Sequence, residues 1–345
     1  MTMYGLTDLK PAFRMTKLDV ECPVKGCTSV VPRQTKADGP IGNERFLCHA
    51  HHIYISPSTF AYANPADAFL WRDDYDTTLL DEICEHKAES HRLNQERSED
   101  ALTWNVFRYF DKHPQNASLR KFLQATASGE LKETIYWSYS TQQKSTWDLL
   151  TRAHQEFGEA TSLTPHGPRR GVTEPDIMLL TSTDLILIEA KFTSGNETSG
   201  NTADVEKRVL NEKKYVTGGG NWFSEVFAPE ATYEKIVRDQ KYELLRMWLL
   251  GSWIASQLDV RFTLVNLVRE GSEESIAESF GRYLRASDAR CFVRRTWEGI
   301  ARECLSAPAS DDDAKRLLRY LREKTAGFLE TKATEVAQPV KAFNL

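Results

Sequence analysis

The 345-residue sequence contains no long hydrophobic run. Its most apolar stretch, LLRMWLLGSWIASQL, is interrupted by Arg246 and Ser252, which makes it too polar for a membrane-spanning helix. The opening MTMYGLTDLKPAFRM has no apolar core of signal-peptide length. The six cysteines are too few and too clustered for a secreted disulfide framework. We therefore expect a cytoplasmic protein without a membrane partner.

An excess of basic residues is also missing. The sequence has 44 Lys and Arg residues against 49 Asp and Glu residues, a formal net charge of −5. A strongly non-specific nucleic-acid-binding protein is usually basic, so this balance is mild evidence against that class. It does not exclude a metal-dependent nuclease, because acidic metal ligands add negative charge and a basic surface can be local. No internal repeat or low-complexity tract is present.

Four potential zinc ligands stand close together in the sequence: Cys22, Cys27, Cys48 and His51. They form a C-x4-C pair and a C-x2-H pair separated by twenty residues, and two short-spaced pairs suit tetrahedral Zn²⁺. His49 and His52 crowd the fourth position, but the C-x2-H spacing favours His51. We expect a structural zinc in a module that resembles a zinc-ribbon or treble-clef finger. The alternative is buried free thiols with surface histidines.

Helices alternate with apolar strands along the chain, which predicts an α/β fold. SEDALTWNVFRYF reads as a helix with Ser98 as its N-cap, TIYWSYS as a strand, and STWDLLTRAHQEF as a second helix. FTSGNETSGN and GGGNWF read as loops, YEKIVRDQKYELLRMWLLGSWIASQL as one long helix, and VRFTLVNLV as a buried strand. The predicted divisions are a zinc-ribbon-like module (1–62), a helical connector (63–97), a core (98–270), a C-terminal helical segment (271–326) and a tail (327–345).

The segment EPDIMLLTSTDLILIEAKF, residues 174–192, is mostly apolar but contains Asp176, Glu189 and Lys191. If it forms an antiparallel hairpin with its turn near Ser182, the numbers of paired residues add up to about 365, which places Asp176 opposite Glu189. Cβ atoms at such positions are about 4.5–5.5 Å apart. Lys191 follows Glu189 by two residues and therefore points to the same face. Three ionisable groups are expected to converge at one end of the hairpin.

This convergence predicts a metal site. The other hairpin residues are apolar on both faces, so helices are expected to cover both faces. Two buried carboxylates repel each other, and a divalent cation bound to their oxygens, for which Mg²⁺ or Mn²⁺ is suited, removes the conflict. Lys191 can orient a water or offset charge on a phosphate. The structural alternative is that Asp176 caps the start of one strand while Glu189 and Lys191 simply pair.

Pro175-Asp176 followed by Glu189-Ala190-Lys191 resembles the motif of the PD-(D/E)xK nuclease superfamily, which has the restriction-endonuclease-like fold. The resemblance covers residues from about 98 to 270. It implies a mixed central sheet flanked by helices, Asp176 and Glu189 as metal ligands, and Lys191 as the catalytic lysine. It also implies Mg²⁺-dependent cleavage of DNA, less often of RNA.

Members of that superfamily commonly carry a further acidic residue on a helix ahead of the hairpin. Glu99 and Glu159 are the two candidates here, and Gln240 resembles a glutamine that some members place near the site. For Glu99 and Glu159 the alternative is a solvated surface glutamate. Arg238, Lys241 and Arg246 could meet phosphates, and a solvated helix face is the alternative for them and for Gln240.

We therefore expect a cytoplasmic, metal-dependent nuclease whose partner is nucleic acid, DNA rather than RNA. A prokaryotic defence or restriction-like role follows only by analogy with the fold. The alternative is a non-catalytic protein whose nuclease-like core binds nucleic acid or docks onto a partner. A homo-oligomer or a defence complex is the further assembly that we consider.

Overall fold

The computed structural model of the chain describes residues 3–86, 92–113, 129–159, 172–196, 202–305 and 311–345. The chain divides into two compact units. The first unit contains Met1–Asp73, Arg92–Tyr109 and Ile300–Leu345, and the second contains Asp74–His91 and Phe110–Gly299. Each unit thus joins segments that are far apart in sequence. None of the helices in the described ranges is long and apolar enough to cross a bilayer.

The described strands follow one another along the chain as β1 (Phe13–Arg14), β2 (Asp19–Glu21), β3 (Val30–Pro32), β4 (Leu47–Cys48), β5 (Ile53–Ile55), β6 (Phe60–Tyr62), β7 (Leu131–Tyr136), β8 (Tyr139–Ser140), β9 (Ser145–Thr146), β10 (Ile177–Thr181), β11 (Asp184–Ala190), β12 (Arg261–Val268), β13 (Arg290–Thr296), β14 (Thr325–Thr331) and β15 (Val336–Lys341).

The described α-helices are α1 (Asp74–His86), α2 (Glu99–Lys112), α3 (Asp148–Glu156), α4 (Thr202–Val209), α5 (Glu212–Val226), α6 (Tyr233–Arg238), α7 (Tyr242–Leu258), α8 (Ile276–Gly281), α9 (Trp297–Leu305) and α10 (Asp312–Glu323). Short 3₁₀ helices cover Leu6–Asp8, Lys36–Asp38, Glu44–Phe46 and Pro65–Ala68. The Ser98 hydroxyl accepts a hydrogen bond from the Ala101 amide at 3.1 Å, which confirms the predicted N-cap of α2.

The second unit is built on a seven-stranded sheet with the order β13-β12-β11-β10-β7-β8-β9. β7, β10 and β11 are antiparallel neighbours, whereas β11, β12 and β13 are parallel. The chain passes through α4 to α7 between β11 and β12, and a parallel neighbour requires such a crossover. This mixed sheet with helices confirms the predicted α/β class.

The predicted hairpin is present and has the predicted register. Ile177 pairs with Ile188 and Leu180 pairs with Leu185, so each pair of residue numbers adds up to 365. The two-residue turn lies at Ser182 and Thr183. A slip of one residue would move every side chain to the opposite face of the sheet. The register therefore decides which polar groups can meet.

Helix α7 packs directly on β11 and β12. Met178, Leu187 and Leu264 belong to the buried cluster that contains the apolar side chains of α7. Gly251 permits the close approach, because a Cβ atom there would lie 2.8 Å from Cδ2 of Leu187. Every residue of β11 is buried, as predicted for a strand covered on both faces.

The first unit contains three small antiparallel sheets, β1-β15-β14, β2-β3 and β4-β5-β6. Helix α10 buries Leu317 and Leu321 along one face. A buried ion pair joins Lys324 at the end of this helix to Glu96, with 3.2 Å between Nζ and Oε2. Both side chains are at most 3% exposed, so removing either partner would leave a buried charge uncompensated.

The prediction of a loose tail at 327–345 is wrong, because these residues contribute to β14 and β15. β1 pairs with β15, with Phe13 opposite Ala337, and Arg33 pairs with Glu330 at 2.8 Å. Residues 1–62, predicted as a module of their own, therefore share a sheet with the C-terminal strands. The predicted connector 63–97 is divided, since α1 belongs to the second unit and residues 92–97 to the first.

Three further predictions need correction. The segment 271–326 is not all helical, because it contains β13, an edge strand of the central sheet. Val293 is the one buried residue of β13, so this strand lacks the apolar run that marks its neighbours. The long helix predicted over 233–258 is broken, since Gln240 has a φ of 60° between α6 and α7. The GGGNWF loop needs correction only in part, because residues 218–221 leave helical geometry as predicted while the residues that follow them are helical again within α5.

Candidate functional site

Asp176 and Glu189 face each other at one end of the hairpin. Asp176 immediately precedes β10, and the register that pairs Ile177 with Ile188 places it opposite Glu189. The Oδ2 atom of Asp176 accepts a hydrogen bond of 2.8 Å from the backbone amide of Ala190. Glu189 is only 5% exposed. The register therefore brings a half-buried and a buried carboxylate to the same end of an apolar layer.

Lys191 completes this group. Its Nζ atom forms an ion pair with Oε1 of Glu189. Its backbone is fixed on two sides, because its amide donates to the Leu267 carbonyl at 2.7 Å and its carbonyl accepts from Nε1 of Trp297 at 3.0 Å. The ion pair is also the contact expected of a purely structural hairpin, so the pair by itself does not assign a function.

The backbone of Asp176 is held by the tight turn between β7 and β8. Trp137 and Ser138 form this turn, and both have left-handed backbone conformations with φ of 43° and 72°. Such conformations are unfavourable for residues other than glycine and persist where the surroundings enforce them. The amide of Trp137 donates to the Asp176 carbonyl at 3.1 Å. The strained turn therefore fixes the start of β10.

Glu159 lies within a buried hydrogen-bond network and not on the surface. Its carboxylate accepts hydrogen bonds from the amide and hydroxyl of Thr173, both at 2.6 Å, from the hydroxyl of Tyr215 at 2.7 Å, and from Nε of Arg246 at 3.1 Å. Thr173 is three residues ahead of Asp176 in the chain. These contacts give Glu159 the role of anchoring the segment that leads to Asp176.

The charges around Glu159 determine its protonation. Burial alone would raise the pKa of this carboxyl, but the positive charge of Arg246, with His154 and the hydrogen bonds from Arg246 and Thr173, lowers the pKa to about 2. Glu159 therefore stays ionised far below neutral pH. The sequence suggested Arg246 as a phosphate contact, with a solvated helix face as the alternative. In the structure Arg246 is buried.

A row of aligned polar residues across the parallel strands was not predicted from the sequence. In the register of β11, β12 and β13, Glu189 is aligned with Asn266, and Asn266 with Arg294. The Asn266 side chain accepts from Nδ2 of Asn196 at 2.6 Å and donates to Oε2 of Glu273 at 2.7 Å. These bonds tie the loop after Lys191 to β12. The sequence feature that could have indicated this row is Asn266, the single polar residue within the apolar run LVNLV.

The remaining candidates belong to other elements of the fold. Glu99 is in the first turn of α2 and belongs to the first unit, whereas the hairpin belongs to the second. Gln240 lies in the turn between α6 and α7, where its amide donates to the Val237 carbonyl at 3.0 Å. Arg238 is half exposed and pairs with Glu206 and Glu234. The structure therefore groups Asp176, Glu189 and Lys191 and leaves the other assignments as predictions.

The predicted Cys₃His cluster is present in the first unit, and its ligand atoms all lie within 4.8 Å of one another. Sγ of Cys27 is 3.8 Å from Sγ of Cys48, and Nδ1 of His51 is 3.7 Å from the sulfur atoms of both Cys22 and Cys48. Tetrahedral zinc with Zn–S bonds of about 2.3 Å separates its sulfur ligands by about 3.8 Å. The cluster therefore has the size and donor set to bind a metal such as zinc.

Local turns produce this geometry. Gly26, with a φ of 75°, closes the tight turn between the first two cysteines. The amide of His51 donates to the Cys48 carbonyl at 3.2 Å and brings the second pair together. Burial lowers the pKa of His51, which keeps its imidazole neutral, as a metal ligand must be. Burial, with the charges of neighbouring thiols, raises the pKa of Cys22.

Comparison of the chain with family models, with curated proteins and with solved structures gives no match. Any function must therefore be inferred from the residues of the site and their geometry. Fold alone would not assign one, since one architecture carries many chemistries.

We predict that Glu159→Gln lowers the free energy of unfolding by about 3 kcal/mol at pH 7, because Arg246 loses its buried counter-charge. The pKa of Glu159 is lower in the folded protein, so this stabilisation is present above pH 5 and is lost as the pH falls toward 2. Urea denaturation at pH 7, 5 and 3 measures it.

The matched control is Glu156→Gln, at an exposed position on α3. This variant is expected to unfold like the wild type at all three pH values. A difference between wild type and Glu159→Gln that stayed constant from pH 7 to pH 3 would contradict the ionic role of Glu159.

Proposed function

We propose that the protein is a metal-dependent nuclease that hydrolyses phosphodiester bonds in DNA. The observation that carries this proposal is the convergence of Asp176, Glu189 and Lys191 at one end of a hairpin buried on both faces. The mixed sheet with helical crossover agrees with the architecture that the PD-(D/E)xK resemblance implies. A site of this kind uses two carboxylates and one ammonium group, and the presence of these three groups at one end of the hairpin supports the proposal.

The donor set fits Mg²⁺ or Mn²⁺. Asp176 and Glu189 supply carboxylate oxygens, which these hard cations prefer over nitrogen or sulfur. Lys191 brings one positive charge against two negative charges, so the group as a whole attracts a further cation. Burial of Glu189 strengthens this attraction, because the surrounding apolar side chains screen little.

The metal, when bound, would act as a Lewis acid toward a phosphate oxygen. Asp176 and Glu189 would hold it, and the hydrogen bond from the Ala190 amide would keep the Asp176 carboxylate aimed at Glu189. The Lys191 ammonium group would stabilise the negative charge that develops on the phosphate. The backbone contacts of Lys191 with Leu267 and Trp297 would hold this group in place.

We further propose that the Cys₃His cluster binds a structural zinc ion. All four ligands come from the protein, which leaves no open position for substrate. The three cysteines are buried, and sulfur ligands together with an imidazole nitrogen form a donor set that suits zinc. Zinc would stabilise the small sheets of the first unit, whose strands contain only two to seven residues.

The nuclease proposal predicts metal-dependent cleavage that is lost in three variants. Asp176→Asn, Glu189→Gln and Lys191→Ala are each expected to lower the initial rate at least ~100-fold. Asp176→Asn keeps an oxygen that can accept from the Ala190 amide, so its effect reports on charge and not on the fold. Plasmid, linear duplex, single-stranded DNA and RNA are incubated with Mg²⁺, Mn²⁺ or EDTA.

Lys213→Ala, at an exposed position of α5, is the matched control and should cut at the wild-type rate. An unchanged rate for Lys191→Ala would overturn the assigned role of Lys191. If wild-type protein cuts none of the substrates but retains duplex binding, the nuclease proposal fails and the non-catalytic binding function replaces it.

The zinc proposal predicts one zinc ion per chain by elemental analysis of protein purified without chelators. The double variant Cys27→Ser/Cys48→Ser is expected to contain none and to unfold at lower temperature, because two of four ligands are lost. Cys84→Ser, outside the cluster, should retain the metal. Wild-type protein free of zinc, or a double variant with full zinc content, would contradict the assignment.

A further inference from the structure

A cavity of about 390 Å³ lies within the first unit. The N-terminal segment 3–8 forms one wall, and residues 316–324 of α10 and its C-cap form another. The N-terminal segment lies directly on this helix, because a Cβ atom at Gly5 would be 2.6 Å from Cβ of Glu323. Small-molecule sites usually have volumes of about 300–1,000 Å³. The cavity is thus large enough to hold a ligand.

The three carboxylates that line the cavity are already engaged by the protein. Asp8 and Glu323 each accept a hydrogen bond from a backbone amide of the N-terminal segment, at 2.9 and 2.7 Å. Glu96 forms the buried ion pair with Lys324. The acidic groups therefore hold the walls of the cavity together, and Lys324 compensates the charge of Glu96.

Two of the lining cations have no such compensation. Arg72 pairs with Asp67 at 3.2 Å. Within the described ranges, Arg316 and Arg319 form no ion pair, and both belong to the face of α10 that lines the cavity. The Arg316 guanidinium lies over the ring of Trp71, 5.4 Å from its centroid, which restricts its position. The cavity therefore offers two guanidinium groups to an anion.

We propose that this cavity binds a small phosphorylated molecule. A guanidinium group matches the geometry of a phosphate and can donate two hydrogen bonds to it. Tyr4, Phe69 and Tyr320 supply aromatic surface for a flat ring.

This site is independent of the proposed nuclease function, since its residues belong to the first unit and the hairpin to the second. Calorimetric titration of the full-length protein with inorganic phosphate, AMP and adenosine tests the proposal. AMP is expected to bind with a stoichiometry of one, and adenosine at least tenfold more weakly. Inorganic phosphate binding as tightly as AMP would identify the phosphate alone as the recognised group, whereas tighter AMP binding would identify a nucleotide-like ligand.

The double variant Arg316→Gln/Arg319→Gln is expected to raise the dissociation constant for the phosphorylated probe at least tenfold. Both side chains are exposed, so the fold should persist, which circular dichroism checks. Arg322→Gln, on the same helix but outside the cavity lining, should bind like the wild type. Absence of binding by phosphate and AMP, adenosine binding equal to AMP binding, or full affinity in the double variant would overturn the proposal.

Discussion

The second unit depends on an electrostatic constraint, because two carboxylates face each other at the end of an apolar layer. The register places half-buried Asp176 opposite buried Glu189, so water screens their repulsion less than it would on a surface. Lys191 offsets one negative charge. The proposed divalent cation would complete the balance, and the same cation would provide phosphodiester chemistry. The electrostatic problem and the proposed function thus have one solution.

The surrounding elements keep these groups in place. Trp137 fixes the backbone of Asp176, Trp297 fixes that of Lys191, and Glu159 holds Thr173 just ahead of the hairpin. Sites of this kind work when the supporting contacts determine the position of each reactive group within a fraction of an ångström. Glu159 therefore contributes to the site through the backbone, although its carboxylate is occupied by other partners.

The sequence was informative where the signal is local. The position of the turn predicted the hairpin register, and ligand spacing predicted the Cys₃His cluster with the correct histidine, His51. Prediction from the sequence failed where the contacting residues are far apart in the chain. The pairing of β1 with β15 joins residues more than 300 positions apart, and nothing near either strand indicates it. The burial of Glu159 depends on Arg246, 87 residues later, so a surface position was the natural reading of its sequence context.

The central claim is that Asp176 and Glu189 bind a divalent cation together. Manganese titration followed by electron paramagnetic resonance measures this directly, because Mn²⁺ prefers oxygen ligands and competes poorly for a thiolate cluster. We expect one Mn²⁺ site in the wild type, an affinity at least tenfold lower in Glu189→Gln, and no change in Glu130→Gln, at an exposed position ahead of β7. Equal Mn²⁺ affinity in wild type and Glu189→Gln would contradict it.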